Sequence, residues 1–159
     1  MPGPYVGKQG ARIKDLQDPT RKMSKGIGGT GTVWVLDEPR ALTKKVKSAV
    51  TDTGREVVFD VGAKPGVSNL LTVLSVVTGR PLPALEQDFQ GKGYGDLKSA
   101  VAEAVVAEFE PVRARYTELV ADPAELDRLL AEGAARAREV AVTTMATVRE
   151  RVGLLVARP

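Results

Sequence analysis

Apolar residues recur at steps of three and four over the last third of the chain, which predicts two long helices. The first stripe consists of Leu97, Val101, Ala104, Val105, Phe109, Val112, Tyr116 and Leu119, and the second of Leu126, Leu130, Ala134, Ala137, Ala141, Met145, Val148 and Val152. Asp122 and Pro123 suit the N-cap and first position of the second helix, and Pro111 is expected to kink the first. We expect the two helices to pack antiparallel, with both stripes in the core.

The middle of the chain predicts shorter helices. One is capped by Asp37, carries Glu38 and Pro39 in its first turn, and ends before "TDTG" at 51–54. An apolar helix begins at Ser68 and ends at Gly79, a residue type that favours the left-handed cap conformation. A further short helix is predicted at about 83–89.

The N-terminal part of the chain has a different pattern. Residues 1–10, rich in Pro and Gly, predict a loop, and "ARIKDL" at 11–16 alternates like a strand that "QDPT" then stops. "TVWVL" at 32–36 predicts a second extended segment. We therefore expect a boundary near residue 36. Residues 1–36 form a strand–loop–strand segment too small to fold alone, and residues 37–159 form a helical unit.

The sequence contains neither Cys nor His. Disulfides, thiolate chemistry, zinc sites of the usual Cys/His kind and His-based triads are therefore excluded, and no metal site is predicted. Any chemistry must use Lys, Ser, Thr, Asp or Glu. The chain shows no leader pattern and no apolar run long enough for a membrane span, so we expect a cytoplasmic protein that has no membrane partner.

Charge is distributed unevenly along the chain. Residues 1–64 hold 12 Lys and Arg against 7 Asp and Glu, whereas residues 65–159 hold 11 against 13. A basic N-terminal part suits a polyanion or nucleotide phosphates, and it is equally compatible with a solvated surface.

The most basic and glycine-rich stretch is "RKMSKGIGGTGTV" at 21–33. Its glycines match the phosphate loop of kinases, but the kinase catalytic loop and DFG motif do not occur in the sequence. A dinucleotide fingerprint should open a helix, whereas a strand-like segment follows here. Lys22 and Lys25 instead place two ammonium groups three residues apart on a flexible loop. Such a pair can neutralise charge on a departing pyrophosphate, although it is also typical of a solvated surface loop.

The segment "ARIKDLQDPTRKMSK" at 11–25 resembles the second signature, the KMSKS loop, of class I aminoacyl-tRNA synthetases. Three later stretches resemble tryptophanyl-tRNA synthetases in the same order, up to about Leu155: "KKVKSAVTD" at 44–52, "AKPGVSNLL" at 63–71 and "GKGYGDLK" at 91–98. The resemblance implies a mainly α fold. A C-terminal helical bundle of the anticodon-binding type would follow the last strand and signature loop of a Rossmann-like catalytic domain.

The resemblance also implies an activity, namely ATP-dependent activation of tryptophan and its transfer to tRNA(Trp). Ile13 matches a position beside ATP, and Lys22, Met23, Ser24 and Lys25 match the first four loop residues that hold the ATP phosphates. Lys25 is expected to contribute most to stabilising the leaving pyrophosphate, with Lys22 supporting it, so these two are the candidate catalytic residues. ATP with Mg²⁺ is the implied substrate, without a tightly bound cofactor.

Two departures from the family pattern matter. Gly26 stands where the family has the second Ser, and a glycine stretch follows, so we expect weaker ATP binding. The first, HIGH-type signature and the tryptophan pocket are absent from this sequence, so the chain alone is expected to be inactive. The implied partners are tRNA(Trp), an N-terminal catalytic half and, in the complete enzyme, a second subunit of a homodimer. A non-catalytic module that binds tRNA or protein, and a decayed fragment, are the alternatives.

Overall fold

The computed structural model describes residue 3, residues 10–26 and residues 29–153, and these ranges contain five helices. The helices are α1 (Pro39–Lys47), α2 (Pro65–Thr78), α3 (Leu82–Asp88), α4 (Tyr94–Ala121) and α5 (Pro123–Arg151). The predicted mainly helical fold is confirmed. The loop predicted at 1–10 lies outside the described residues, except for Gly3 and Gly10.

The strands predicted at 11–16 and 32–36 are not formed in the described part of the chain. A single antiparallel bridge between Lys14 and Lys22 is the β pairing present there. The alternating pattern of residues 11–16 is therefore not sufficient to predict a strand, because an extended segment becomes a strand only when a neighbouring strand supplies its hydrogen bonds.

Helix α1 begins at Pro39, whose fixed φ angle suits the first helical position. Asp37, the predicted cap, does not cap this helix, since Glu38 occupies the N-cap position without a side-chain hydrogen bond. The Asp37 carboxylate instead accepts hydrogen bonds from the Trp34 N–H at 2.9 Å and from Lys45 Nζ at 2.6 Å. Asp37 thus fixes the turn that leads into α1.

The other helix ends agree more closely with the sequence. Helix α2 begins three residues before the predicted Ser68 and ends, as predicted, at Gly79, whose φ of 68° is left-handed. The prediction for α3 is correct to within one residue at each end. Asp122 caps α5 as predicted, because its carboxylate accepts the Glu125 N–H at 3.1 Å.

The chain divides into two compact units, residues 1–113 and residues 114–159. The first unit contains α1 to α3, most of α4 and the hydrophobic core. Leu16, which precedes all the helices, is buried in that core, so the N-terminal segment and the helices share one interior. The largest fully buried apolar side chains are Leu42, Val46, Val67, Leu70, Leu71, Leu85, Leu97 and Val101.

The second unit contains the end of α4 and the whole of α5. No α5 side chain is buried, and Leu130 and Val140 of this helix are 63% and 73% exposed. The prediction that the α5 stripe is core is therefore wrong for the described residues, because an apolar stripe is buried only where another element covers it. No helix in the described ranges has the length and apolar content that a membrane span needs.

Candidate functional site

In residues 13–23, here called the hairpin, the candidate site residue Met23 pairs with Ile13, and Lys22 lies opposite Lys14. The Met23 N–H donates to the Ile13 carbonyl at 3.0 Å, and the Asp15 N–H donates to the Arg21 carbonyl at 3.0 Å. These bonds flank the Lys14–Lys22 bridge, so two short antiparallel arms hold the start of the KMSK sequence next to Ile13.

Two aspartates close the tip of the hairpin. The Asp15 carboxylate accepts the N–H groups of Gln17 and Asp18 at 2.8 and 3.2 Å. The Asp18 carboxylate accepts the N–H of Thr20 at 3.1 Å and its hydroxyl at 2.5 Å, and the hydroxyl bond is the largest cause of the lowered pKa of Asp18. Because both carboxylates are occupied by the turn, they hold its shape.

Helix α2 fixes the first arm of the hairpin. Asn69, a buried residue of α2, accepts the Lys14 N–H at 2.8 Å and donates its amide to the Lys14 carbonyl at 2.9 Å. On the next residues, the Leu16 N–H donates to the Gly31 carbonyl at 2.9 Å, and the Leu16 carbonyl accepts the Val50 N–H at 2.7 Å. The base of the hairpin is thus bonded to the helical part of the unit.

Residues 22–26, here called the lysine loop, follow the hairpin and carry two exposed cations, Lys22 and Lys25. The side chains of Lys22 and Lys25 make no hydrogen bond or ion pair with any described residue. Met23, between them, packs partly buried against the core. Ser24 accepts the Gly26 N–H at its hydroxyl, 3.3 Å away, and its carbonyl accepts the Thr32 hydroxyl at 3.2 Å. Hydrogen bonding and packing therefore hold the backbone of the loop in place, while its two ammonium groups have no partner among the described residues.

Ile13 and Lys22 line different cavities. Ile13 and Met23 belong to the wall of an apolar cavity of about 370 Å³, which Val46 and Phe109 also line. Lys22 lines a more polar cavity of about 250 Å³ together with Asp18, Arg21, Gly29 and Thr30. The structure therefore brings Ile13 close to Met23, whereas Lys22 lines a different cavity.

Three residues that support the lysine loop were missed by sequence reasoning. Asn69 reaches back 55 residues, a separation that no local pattern reveals. Lys45 on α1 donates to the Thr32 carbonyl at 3.0 Å as well as to Asp37, and it thereby ties the segment after the loop to α1. Gly31 packs so closely on Asp15 that a Cβ there would overlap the carboxylate. A glycine among several glycines gives no sign of such a role.

Clusters of side chains that could hold a metal ion are absent from the described part of the chain. No group of three or more His, Cys, Asp or Glu side chains has the arrangement of a metal site there. The two exposed ammonium groups of the lysine loop are of the charge that attracts phosphate or carboxylate oxygens.

A sequence profile for the family described as tRNA synthetases class I (W and Y) matches residues 10–110 of the chain. The chain belongs to this family. The matched region contains the hairpin, the lysine loop, helices α1 to α3 and the first part of α4. The resemblance expected from the KMSK sequence is thus confirmed at the level of the family.

Individual relatives are tryptophan–tRNA ligases. The protein of that name from Leifsonia xyli is 51% identical over 98% of this chain, which corresponds to 46% of the relative. The one from Listeria monocytogenes is 46% identical over 97% of this chain and 46% of its own length. The chain therefore spans about half the length of the curated relatives that it matches.

Solved structures of class I synthetases match the fold as well. Tryptophanyl-tRNA synthetase from Mycoplasma pneumoniae superposes with a TM-score of 0.80 at 30% identity and covers 94% of this chain. The enzyme from Campylobacter jejuni, complexed with ADP and tryptophan, gives 0.69 at 28% identity over the same share. In both cases this chain corresponds to less than half of the solved chain.

Proposed function

We propose that this chain is the C-terminal part of a tryptophan–tRNA ligase, which supplies the lysine loop for ATP and a helical domain for tRNA(Trp). In this proposal residues 1–36 complete a Rossmann-like catalytic domain and residues 37–159 form the tRNA-binding domain. The observation that carries it is the pair of exposed, unpaired ammonium groups of Lys22 and Lys25, held on a loop whose root is bonded to the core.

The two lysines act by charge stabilisation. In the activation step a tryptophan carboxylate oxygen bonds to the α-phosphorus of ATP, and the bond from that phosphorus to the β-phosphate oxygen breaks. The departing pyrophosphate gains negative charge, which Lys25, supported by Lys22, stabilises. Mg²⁺ enters with ATP as part of the substrate. Ile13, Met23, Ser24 and Gly26 complete the ATP contacts on this side of the site.

The rest of the active site belongs to sequence outside this chain. Positioning catalysis needs both sides of the site, so we expect an N-terminal half to provide the HIGH-type signature and the tryptophan pocket. The complete enzyme is then expected to act as a cytoplasmic homodimer. Without that half, the chain is expected to be inactive.

The glycine-rich sequence after Lys25 favours a second candidate function. Gly26 and Gly29 raise the entropy that an ordered closed loop must lose, which disfavours a working ATP loop. The chain would then be a non-catalytic module that binds tRNA or protein. The KMSK sequence itself, intact at 22–25, favours the catalytic proposal.

Tryptophan-dependent exchange of pyrophosphate into ATP tests the proposal. The assay is run on this chain alone, on a separately produced N-terminal half of the same family, and on their mixture. We expect activity in the mixture alone and a large loss with Lys25→Ala, whereas Lys44→Ala, an exposed lysine of α1, serves as the matched control. If the mixture of folded proteins shows no exchange but still binds tRNA(Trp), the non-catalytic module is favoured. Exchange by this chain alone would contradict the proposal that the active site is divided between this chain and an N-terminal half.

A further inference from the structure

Another cavity lies along the first two turns of α2, and we call it the α2 cavity. Pro65, Ser68, Asn69 and Thr72 line one wall, at the spacing of one helix face, and the cavity volume is about 350 Å³. Arg12 and Lys14 line it from the N-terminal segment. None of its lining residues belongs to the cavity that Lys22 lines, so the two cavities are separate.

The charged residues that line the α2 cavity are cations. Arg12 and Lys14 contribute to its lining, and no Asp or Glu does. The exposed Arg12 guanidinium makes no hydrogen bond or ion pair with a residue in the described ranges. Lys14 Nζ donates to the Thr20 carbonyl at 3.3 Å, a long bond that leaves its other hydrogens available. The α2 cavity therefore favours an anion.

A nearby carboxylate is already occupied. Asp60 accepts the N–H groups of Gly62 and Ala63, each at 2.9 Å, just before α2 begins. Its charge is thereby partly compensated by these donors. The Asp60 carboxylate would therefore repel an anion next to Gly62 less than a carboxylate without hydrogen bonds would.

The Ser68 hydroxyl provides an independent observation. Ser68 is only 3% exposed and lies in the wall of the α2 cavity, yet its hydroxyl has no hydrogen-bond partner in the described structure. Buried hydroxyls are normally paired, because burial without a partner is unfavourable. Ser68 lines the same cavity as Arg12 and Lys14, and its hydroxyl is a donor for which the described residues supply no acceptor.

The N-terminus of α2 adds to this arrangement. The helix has no side-chain cap and no acidic residue in its first turn, although it is 14 residues long. The positive end of its dipole is therefore not compensated by a side chain, and it favours an anion beside the first turn.

We propose that the α2 cavity binds a phosphate group, held by Arg12, Lys14 and the Ser68 hydroxyl. The phosphate is either a free ion or a phosphodiester of an RNA backbone, since the chemistry of recognition is the same for both. This site does not depend on the activity proposed for the lysine loop, because it uses other residues.

Phosphate titration followed by ¹⁵N–¹H NMR tests the site. Inorganic phosphate is added at constant ionic strength, and the amide signals of Gly62, Ser68 and Asn69 are followed. We expect saturable shifts, weakened roughly tenfold by Arg12→Gln, because a charge-assisted contact is lost. Arg40→Gln, which removes an exposed arginine of α1, should leave the affinity within about twofold. Shifts that do not saturate, or equal losses in both variants, would overturn the proposal.

Ser68→Ala separates binding from folding. Because the hydroxyl has no partner in the protein, its removal should leave the melting temperature unchanged or raise it, while phosphate binding weakens. A lower melting temperature with unchanged phosphate affinity would contradict the assignment, since the hydroxyl would then serve the fold.

A short single-stranded RNA distinguishes the two sources of phosphate. If the site takes a phosphodiester, the RNA shifts the same three amides and competes with inorganic phosphate, and Arg12→Gln weakens both. If the RNA leaves these amides unchanged while inorganic phosphate shifts them, the ligand is free phosphate. Failure of both ligands would refute the phosphate site without bearing on the lysine loop.

Discussion

The side chain of Asn69 binds both backbone polar groups of Lys14, accepting its N–H at 2.8 Å and donating to its carbonyl at 2.9 Å. This is the pairing that a neighbouring strand would provide, supplied here by one amide from a helix. Residue 14 lies opposite Lys22 in the hairpin, so a buried residue of α2 determines where the lysine loop begins.

Asn69→Ala is expected to destabilise the first unit. The substitution removes two hydrogen bonds and leaves two backbone groups without their partner, which together cost about 2–3 kcal/mol. Denaturant unfolding followed by circular dichroism measures the change. Gln90→Ala, the truncation of an exposed amide, is the control and should change the free energy of unfolding by less than about 0.5 kcal/mol. Equal effects of the two substitutions would show that the Asn69–Lys14 contact contributes little.

Gly31 is the second support that a substitution can test. A methyl group at this position would overlap the Asp15 carboxylate, which is needed to close the tip of the hairpin. We expect Gly31→Ala to lower the free energy of unfolding by about 1–3 kcal/mol, as overpacking does elsewhere. Gly95→Ala in the first turn of α4 is the matched control, since nothing lies within 4 Å of its added Cβ. A harmless Gly31→Ala would mean that Asp15 moves aside freely.

Tyr94, the first residue of α4, connects Asp52 with Lys64, the N-cap residue of α2. Its hydroxyl donates to the Asp52 carboxylate at 2.7 Å and accepts from Lys64 Nζ at 2.8 Å, and Lys64 lies 3.4 Å from the same carboxylate. The hydrogen bond that Tyr94 donates to Asp52 is the largest cause of the lowered pKa of Asp52. The hydrogen bond that Tyr94 accepts from Lys64 is the largest cause of the raised pKa of Lys64.

This arrangement predicts an acid-dependent stability. Because the pKa of Asp52 in the folded protein lies below its ordinary value of 3.8, its contribution is present above about pH 4 and is lost as the pH falls through the lowered value. The contribution of Lys64, whose pKa is raised, is fully present at both pH 3 and pH 6, and it is lost only as the pH rises above the ordinary value of 10.5. We therefore expect Tyr94→Phe to reduce the difference in unfolding midpoint between pH 6 and pH 3.

The exposed Tyr116 offers the control for this measurement. Tyr116→Phe should keep the full difference between the two pH values, because it leaves the hydrogen bonds of Tyr94 with Asp52 and Lys64 in place. If Tyr94→Phe and Tyr116→Phe behave alike, the hydrogen bond from Tyr94 does not set the pKa of Asp52.

The sequence predicted those elements whose cause is local. Asp122 with Pro123, and Gly79 in its left-handed conformation, mark helix ends through their own backbone chemistry. It failed where the cause is distant. Asp37 has the composition of a cap, but Lys45 and the Trp34 N–H bind its carboxylate instead.

The same distinction applies to the candidate site. The KMSK sequence indicated the two lysines, whose exposure follows from their own polarity, whereas Asn69 and Gly31 support the loop through contacts that depend on the folded chain. The apolar stripe of α5 is periodic, but periodicity identifies only a face, and burial depends on what covers it.

Gly26→Ser tests the departure of the lysine loop from its family pattern. Gly26 does not have a positive φ angle, and the nearest atom to an added Cβ is Ser24 Oγ at 3.9 Å, so a serine fits without strain. The new hydroxyl can donate to an ATP phosphate, and the loss of a glycine lowers the entropic cost of ordering the loop. In the complete enzyme we expect the pyrophosphate exchange rate to rise by roughly 2- to 10-fold, which corresponds to one neutral hydrogen bond.

Gly26→Ala separates the two causes, because alanine restricts the backbone as serine does but has no hydroxyl. An intermediate rate for Gly26→Ala would assign part of the gain to loop entropy and the remainder to the hydrogen bond. Equal rates for the two variants would assign the whole gain to the backbone. Rates unchanged from the glycine protein would contradict the prediction, since the loop would then reach the phosphates equally well without the fifth side chain.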